Sequence, residues 1–103
     1  MSYNTGNINK LSVISVTLSP AEVAANTSAE QTFTVNGLQA DDHVVVNKPT
    51  AQAGLGIVGA RAGANALYIT FMNATGAGIT PTASQVYLVL VSRKDSTITD
   101  GNI

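Results

Sequence analysis

Asp41, Asp42 and His43 stand together in "QADDHVVV", and of all side chains in this sequence they come nearest to a metal-binding or proton-transferring set. A metal site needs three or more ligands converging from different elements. Here the chain's one histidine follows two adjacent carboxylates, and successive side chains on an extended backbone point to opposite sides. The expectation is that Asp41 and Asp42 mark a turn and His43 the entrance of a strand, with no metal bound. His43 as a general base would need a nucleophile beside it. No G-x-S-x-G elbow occurs, and the absence of cysteine removes every thiolate. Ser12, Ser15, Ser19, Ser28, Ser84 and Ser92 fall on strand faces or at element ends, where a hydroxyl ordinarily bonds to backbone.

Paired carboxylates are the next possible chemistry, since two acids facing each other across a cleft cleave glycosides. Glu22, Glu30, Asp41, Asp42, Asp95 and Asp100 lie mostly in loops, and the aromatic platforms a sugar would stack on are few: Tyr3, Phe33, Tyr68, Phe71 and Tyr87. Gly54-x-Gly56-x-x-Gly59 matches the letters of a dinucleotide loop. That loop needs a strand before it, a helix after it and an acidic residue about twenty positions on, and the surrounding sequence supplies none of these. The residues therefore point to no catalytic, metal or cofactor site, and to a protein that is not an enzyme.

The bulk properties agree. At 103 residues the chain has length for one domain and one core. Five basic residues against six acidic ones leave a net charge of -1, too little positive field to neutralise phosphates, so direct nucleic-acid binding is not expected. Only 11% of residues are charged, which gives a surface weakly protected against association and hints that partners cover part of it. The opening "MSYNTGNINKLSVISVTL" lacks the positive start and apolar segment of an export signal, and no apolar run reaches the roughly eighteen residues of a membrane span. The expectation is a soluble protein made in the cytoplasm.

Stepping along the chain, six segments read as strands: "LSVISVTL" from Leu11, "EQTFTVNG" from Glu30, "HVVVNKP" from His43, "LGIVGARA" from Leu55, "ALYITFMN" from Ala66 and "QVYLVLVS" from Gln85. The first is either buried on both faces or bulged near Val13 and Ile14. The fifth alternates cleanly, with Leu67, Ile69 and Phe71 inward and Tyr68, Thr70 and Met72 outward. Phe33, Ile69, Phe71, Leu88 and Leu90 are expected in the core. Glycine and proline in the joints predict two hairpins, one joining the second and third strands and one turning at Gly63-Ala64-Asn65. A helical turn is conceivable after Pro20, and "ATGAGITPTAS" reads as a flexible loop closed by Pro81. The fold class is all-β, a small antiparallel, jelly-roll-like β-sandwich over residues 11–92. Short polar arms flank it, 1–10 at the N-terminus and 93–103 at the C-terminus.

The segment from Val13 to Ser92 resembles a small β-sandwich domain of tailed-bacteriophage virion proteins, above all capsid decoration (cement) proteins. The words that carry the likeness, in order, are "TVNGLQADDHVVVNKP", "GLGIVGARA", "LYITFMNATGAGITP" and "YLVLV". The resemblance implies a homo-oligomer, commonly a trimer, on the outer surface of the head, bridging major capsid protein subunits, with no membrane contact. It carries over no catalytic residue. It equally admits a head or tail fibre or tail-tip module that binds a host-surface glycan or protein through loops 37–42 and 74–84. Candidate interface residues are Arg61, which would grip a carboxylate of another subunit, with Tyr68 and Met72 as the apolar part of the same patch. Asn4, Asn7, Asn9 and Lys10 form a candidate capsid-anchoring arm.

Overall fold

The computed structural model describes residues 7–96. They form six strands: β1 (Ile8–Leu18), β2 (Thr27–Thr34), β3 (His43–Asn47), β4 (Leu55–Gly63), β5 (Ala66–Asn73) and β6 (Gln85–Lys94). Two antiparallel three-stranded sheets pack into a sandwich, one in the order β1-β6-β3 and the other β2-β5-β4. Only β4 and β5 are joined as a hairpin. Every other connection carries the chain from one sheet to the other.

The alternation read in β5 is the one observed. Leu67, Ile69 and Phe71 are fully buried, and from the facing sheet β6 supplies Tyr87, Val89 and Val91. Leu18, Val23, Val35, Leu38, Val44 and Ala62 complete the buried cluster, with Ile14, Val16, Phe33 and Ile57 among the residues packed against it. Leu88 and Leu90, expected in the core, instead face outward. They are even-numbered neighbours of Tyr87, Val89 and Val91, and strand parity allows only one of the two sets to face the partner sheet.

The expected hairpin between the second and third strands does not form. β2 pairs with β5 and β3 with β6, because the chain after β2 crosses between the sheets. The crossing is held by buried Leu38, whose amide bonds to the Val35 carbonyl and whose carbonyl accepts from Asn65. Asn65, at φ 54°, turns the β4–β5 hairpin and also accepts the Val35 and Gly37 amides through its main-chain and side-chain oxygens. The stretch after Pro20 is not helical. Val23, with no exposed surface, bridges Ile79 in both directions at 2.8 and 3.0 Å.

The loop after β5 is tied to the body by Asn73, a fully buried amide. Its nitrogen donates to the carbonyls of Val23 and Ala77, and its oxygen accepts from the Thr75 amide and hydroxyl. All four of its hydrogen-bonding sites are filled, so burial carries no desolvation cost left unanswered.

The boundaries expected at residues 10 and 93 move outward. Ile8 pairs with Lys94 and Lys10 with Arg93 across a bulge at Asn9, so the inner ends of both polar arms belong to strands β1 and β6.

Two substitutions separate inside from outside. Phe71→Ala is expected to cost about 3–5 kcal/mol, whereas Leu90→Ala should cost about 0.5 kcal/mol within a single folded copy. Urea denaturation in dilute solution reads both. The Tyr87 hydroxyl is buried with no hydrogen-bond partner among the described residues, and burial pushes its pKa up. Tyr87→Phe removes an unsatisfied polar group, so stability should rise, by about 1 kcal/mol; a loss in the same denaturation experiment would show that the hydroxyl has a partner.

Candidate functional site

Backbone alternation sends Asp41, Asp42 and His43 apart. Asp42 points in at the end of the core, its side chain 1% exposed. Arg93 reaches it from the C-terminal end of β6, with Nε and an Nη each 2.8 Å from a different carboxylate oxygen, and the same Nη donates to the Gly37 carbonyl. The Gln39 amide adds a further donor. The Arg93 guanidinium holds the Asp42 carboxyl below the usual aspartate range against the opposing effect of burial. Asp41 turns to solvent, 3.5 Å from the Lys94 ammonium. His43 is exposed and opposite Ser92 on the outer face of its sheet. The trio is one structural clamp and two surface residues, and no group of three or more histidine, aspartate or glutamate side chains is placed to hold a metal ion among the described residues.

Of the Gly54–Gly59 letters, Gly54 lies in the turn before β4 and the rest run as an edge strand paired to β5, with Val58 bulged out between Ile57 and Gly59. Gly54 has φ +79°, and a Cβ there would collide with the Thr75 methyl. No helix follows that could cradle a phosphate at its N-terminus. The hollow lined by Lys10, Ser12, Ile14, Asn36, Gly37, Leu38, Val91 and Arg93 holds about 80 Å³, and Arg93 is already committed to Asp42.

Arg61 and Tyr68 do come together, on the outer face of the β2-β5-β4 sheet. The guanidinium carbon lies 4.0 Å from the Tyr68 ring centre, and the ring in turn covers Gly63, where a Cβ would approach it to 2.7 Å. The carboxylate anticipated from another subunit is Glu30 of the same chain, bound through Nε and Nη2 at 2.9 Å each. β2 and β4 flank β5, so Glu30 and Arg61 project on the same side across it. The pair holds the Glu30 pKa down and raises that of Arg61; both groups are solvated, where such pairs contribute little stability. Met72 shares this face, beyond Thr70. Asn7 donates its side-chain amide to the Ser96 carbonyl and accepts from the Asp95 amide, tying the two ends of the described chain together. Asn9 sits at the β1 bulge and Lys10 lines the small hollow. Asn4 lies outside the described residues.

The larger feature is the outer face of the β1-β6-β3 sheet. Register places Leu11, Ser92 and His43 in one row, then Val13, Leu90 and Val45, then Ser15, Leu88 and Asn47, then Thr17 and Val86. Leu11, Val13, Val45, Val86, Leu88 and Leu90 remain 39–66% exposed, side by side. None of these rows contains a charged residue. Charge begins at the margin, where Lys94 meets Asp41. The opposite outer face is more polar, with Ser28, Glu30, Thr32 and Thr34 on β2, Thr70 on β5, and Gly56, Gly59 and Arg61 on β4, beside Tyr68, the exposed Met72 and the bulged, exposed Val58. The signal for the apolar face was in the sequence: β1, β3 and β6 carry apolar residues at both parities, β5 much less so.

A scan against protein-family models finds no match to this chain, and searches of curated proteins and of solved structures find none either.

The Asp42 clamp has a pH signature. A carboxyl whose pKa is depressed on folding contributes stability that is present above its unfolded value, near the usual 3.8, and that fades as pH falls through the lower folded value. Asp42→Asn should therefore melt well below the wild type at neutral pH, with the two melting curves converging as pH falls below the usual aspartate range and through the lower folded value. A constant gap down the whole acid limb would mean that the ion pair does not carry the difference.

Proposed function

We propose that this chain is a nonenzymatic surface protein of a tailed-bacteriophage virion, a decoration subunit that binds the outside of the head and bridges major capsid subunits. The observation that carries this reading is the uncharged, apolar outer face of the β1-β6-β3 sheet. Soluble monomers rarely leave contiguous apolar patches beyond a few hundred Å² in water, and those they do leave are commonly contact surfaces. A protein whose largest distinctive feature is an exposed apolar sheet face is suited to contact with other macromolecules. The clamps at Asp42 and Asn73 fit that role, since they fix the loops at both ends of the sandwich by internal bonds and leave a rigid block. The virion assignment rests on the resemblance of the sequence words, in their order, to those of capsid decoration proteins.

Decoration gains by repetition. Each contact is modest, while many copies on a shell, each touching more than one subunit, make detachment rare. The purified protein mixed with undecorated heads should leave solution and sediment with them, and the coated heads should withstand a higher temperature before releasing DNA. Protein that stays in the supernatant at every concentration, or that binds host cells and ignores heads, would overturn the assignment.

A further inference from the structure

We propose that Asn36-Gly37 is a self-modification site, at which the Gly37 main-chain nitrogen attacks the Asn36 side-chain amide and Asn65 sets the pace by holding that nitrogen in a hydrogen bond. Nothing in this depends on the decoration reading.

Asparagine followed by glycine occurs once in the sequence. At such a pair the side chain closes on the main chain most readily, because the following residue has no Cβ to obstruct the approach to its nitrogen. The new bond joins the Gly37 nitrogen to Asn36 Cγ. The bond from Cγ to the side-chain nitrogen breaks, ammonia leaves with the proton that the Gly37 nitrogen gives up, and a succinimide ring remains. Water then opens the ring at either carbonyl. One opening leaves aspartate at position 36; the other leaves isoaspartate, in which the main chain runs through the former side chain and gains a methylene. No oxidant, reductant or cofactor enters.

Asn36 and Gly37 are both exposed, and a Cβ built on Gly37 would meet nothing within 4 Å, so the ring and its water have room. Every other asparagine among the described residues precedes a residue that carries a Cβ. The nucleophile, however, is occupied in the folded chain: the Gly37 amide donates to Asn65 Oδ1 at 2.9 Å. Asn65 is itself held on both sides of the reacting pair, its carbonyl accepting from the Val35 amide at 3.1 Å and its amide donating to the Leu38 carbonyl at 2.9 Å. Attack requires the Gly37 nitrogen to leave Asn65, and one such bond slows the reaction up to about tenfold.

The product reaches the Asp42 clamp. Arg93 donates to the Gly37 carbonyl at 2.9 Å while it grips Asp42, and Asn36 lines the same hollow as Lys10 and Arg93. Aspartate at position 36 adds a carboxylate near those cations and keeps the backbone length. Isoaspartate lengthens the chain between Val35 and Gly37 and shifts the Gly37 carbonyl from Arg93, which loosens the β2–β3 crossing.

The full chain is held at mildly alkaline pH and followed by peptide mapping with mass spectrometry, with an isoaspartate-specific methyltransferase as the second readout. Asn36 should be the first asparagine to convert, and the folded chain should convert up to about tenfold more slowly than the same chain unfolded in urea. Asn65→Gly accepts the left-handed backbone at φ 54° and removes the acceptor, so it should convert several-fold faster than the wild type while folded by circular dichroism. Asn65→Asp keeps an acceptor oxygen in the same place and should stay slow. The isoaspartate fraction should melt below the unmodified chain, whereas Asn36→Asp should melt close to it. Equal rates in the folded and unfolded chain overturn the proposal, and that comparison decides even where Asn65→Gly does not fold. A folded Asn65→Gly that converts no faster than Asn65→Asp, or another asparagine that converts first, overturns it as well.

Discussion

The contact between the inner faces of β5 and β6 is what the remainder of the structure depends on. Each is the central strand of its sheet, and Leu67, Ile69 and Phe71 on one, with Tyr87, Val89 and Val91 on the other, lose nearly all contact with water. The flanking strands are positioned by their ladders to these two. Because the side-chain period of a strand is two, choosing the odd residues of β6 for the core commits Val86, Leu88 and Leu90 to the outside. The apolar surface is thus a consequence of the same parity that makes the core, transmitted through register to Val13 and Leu11 on β1 and Val45 on β3.

A sandwich this small has open ends, and each is closed by a polar group satisfied from several directions. Asn73 gathers the connection after β1 and the loop after β5 at one end. Asp42 and Arg93 fasten the β2–β3 crossing to the end of β6 at the other. Buried polar groups of this kind contribute little net stability when fully paired but are costly to leave half paired, which makes them effective in selecting one loop arrangement over others. The residues that look most like chemistry in the sequence are thereby absorbed into architecture.

Much of this was legible before any coordinates. β5 could be read to the residue because polar and apolar positions alternate, and the turn at Ala64-Asn65 because asparagine tolerates the left-handed backbone that a tight hairpin requires. The β2–β3 crossing was not legible, since Leu38 reads equally well as a plug inside a hairpin loop and as the buried pivot of a change of sheet. Nor were the ion pairs, whose partners are 31 and 51 residues apart and meet only through strand order. Leu88 and Leu90 show a deeper ambiguity. Apolar residues at both parities say that both faces of a strand avoid water, and they do not say whether the covering surface belongs to the same chain. Arg61 shows the converse, an arginine expected to meet a carboxylate of another subunit and found against Glu30, a neighbour across the same sheet.

The two outer faces show how the molecule divides its labour. On β2-β5-β4 the chain spends its threonines, its Glu30–Arg61 pair and a tyrosine laid over Gly63, which present groups that water solvates well and leave Met72 and Val58 as the exposed apolar residues there. On β1-β6-β3 it places valine and leucine where nothing in the fold needs them, at positions whose replacement by threonine or serine would leave every core contact in place. Contact with water at those positions raises the free energy of the isolated chain at roughly 25 cal/mol for each Å² of apolar surface, a cost removed only when the face is covered. The asymmetry follows if the isolated sandwich is a part, with one face finished for solvent and the other for contact.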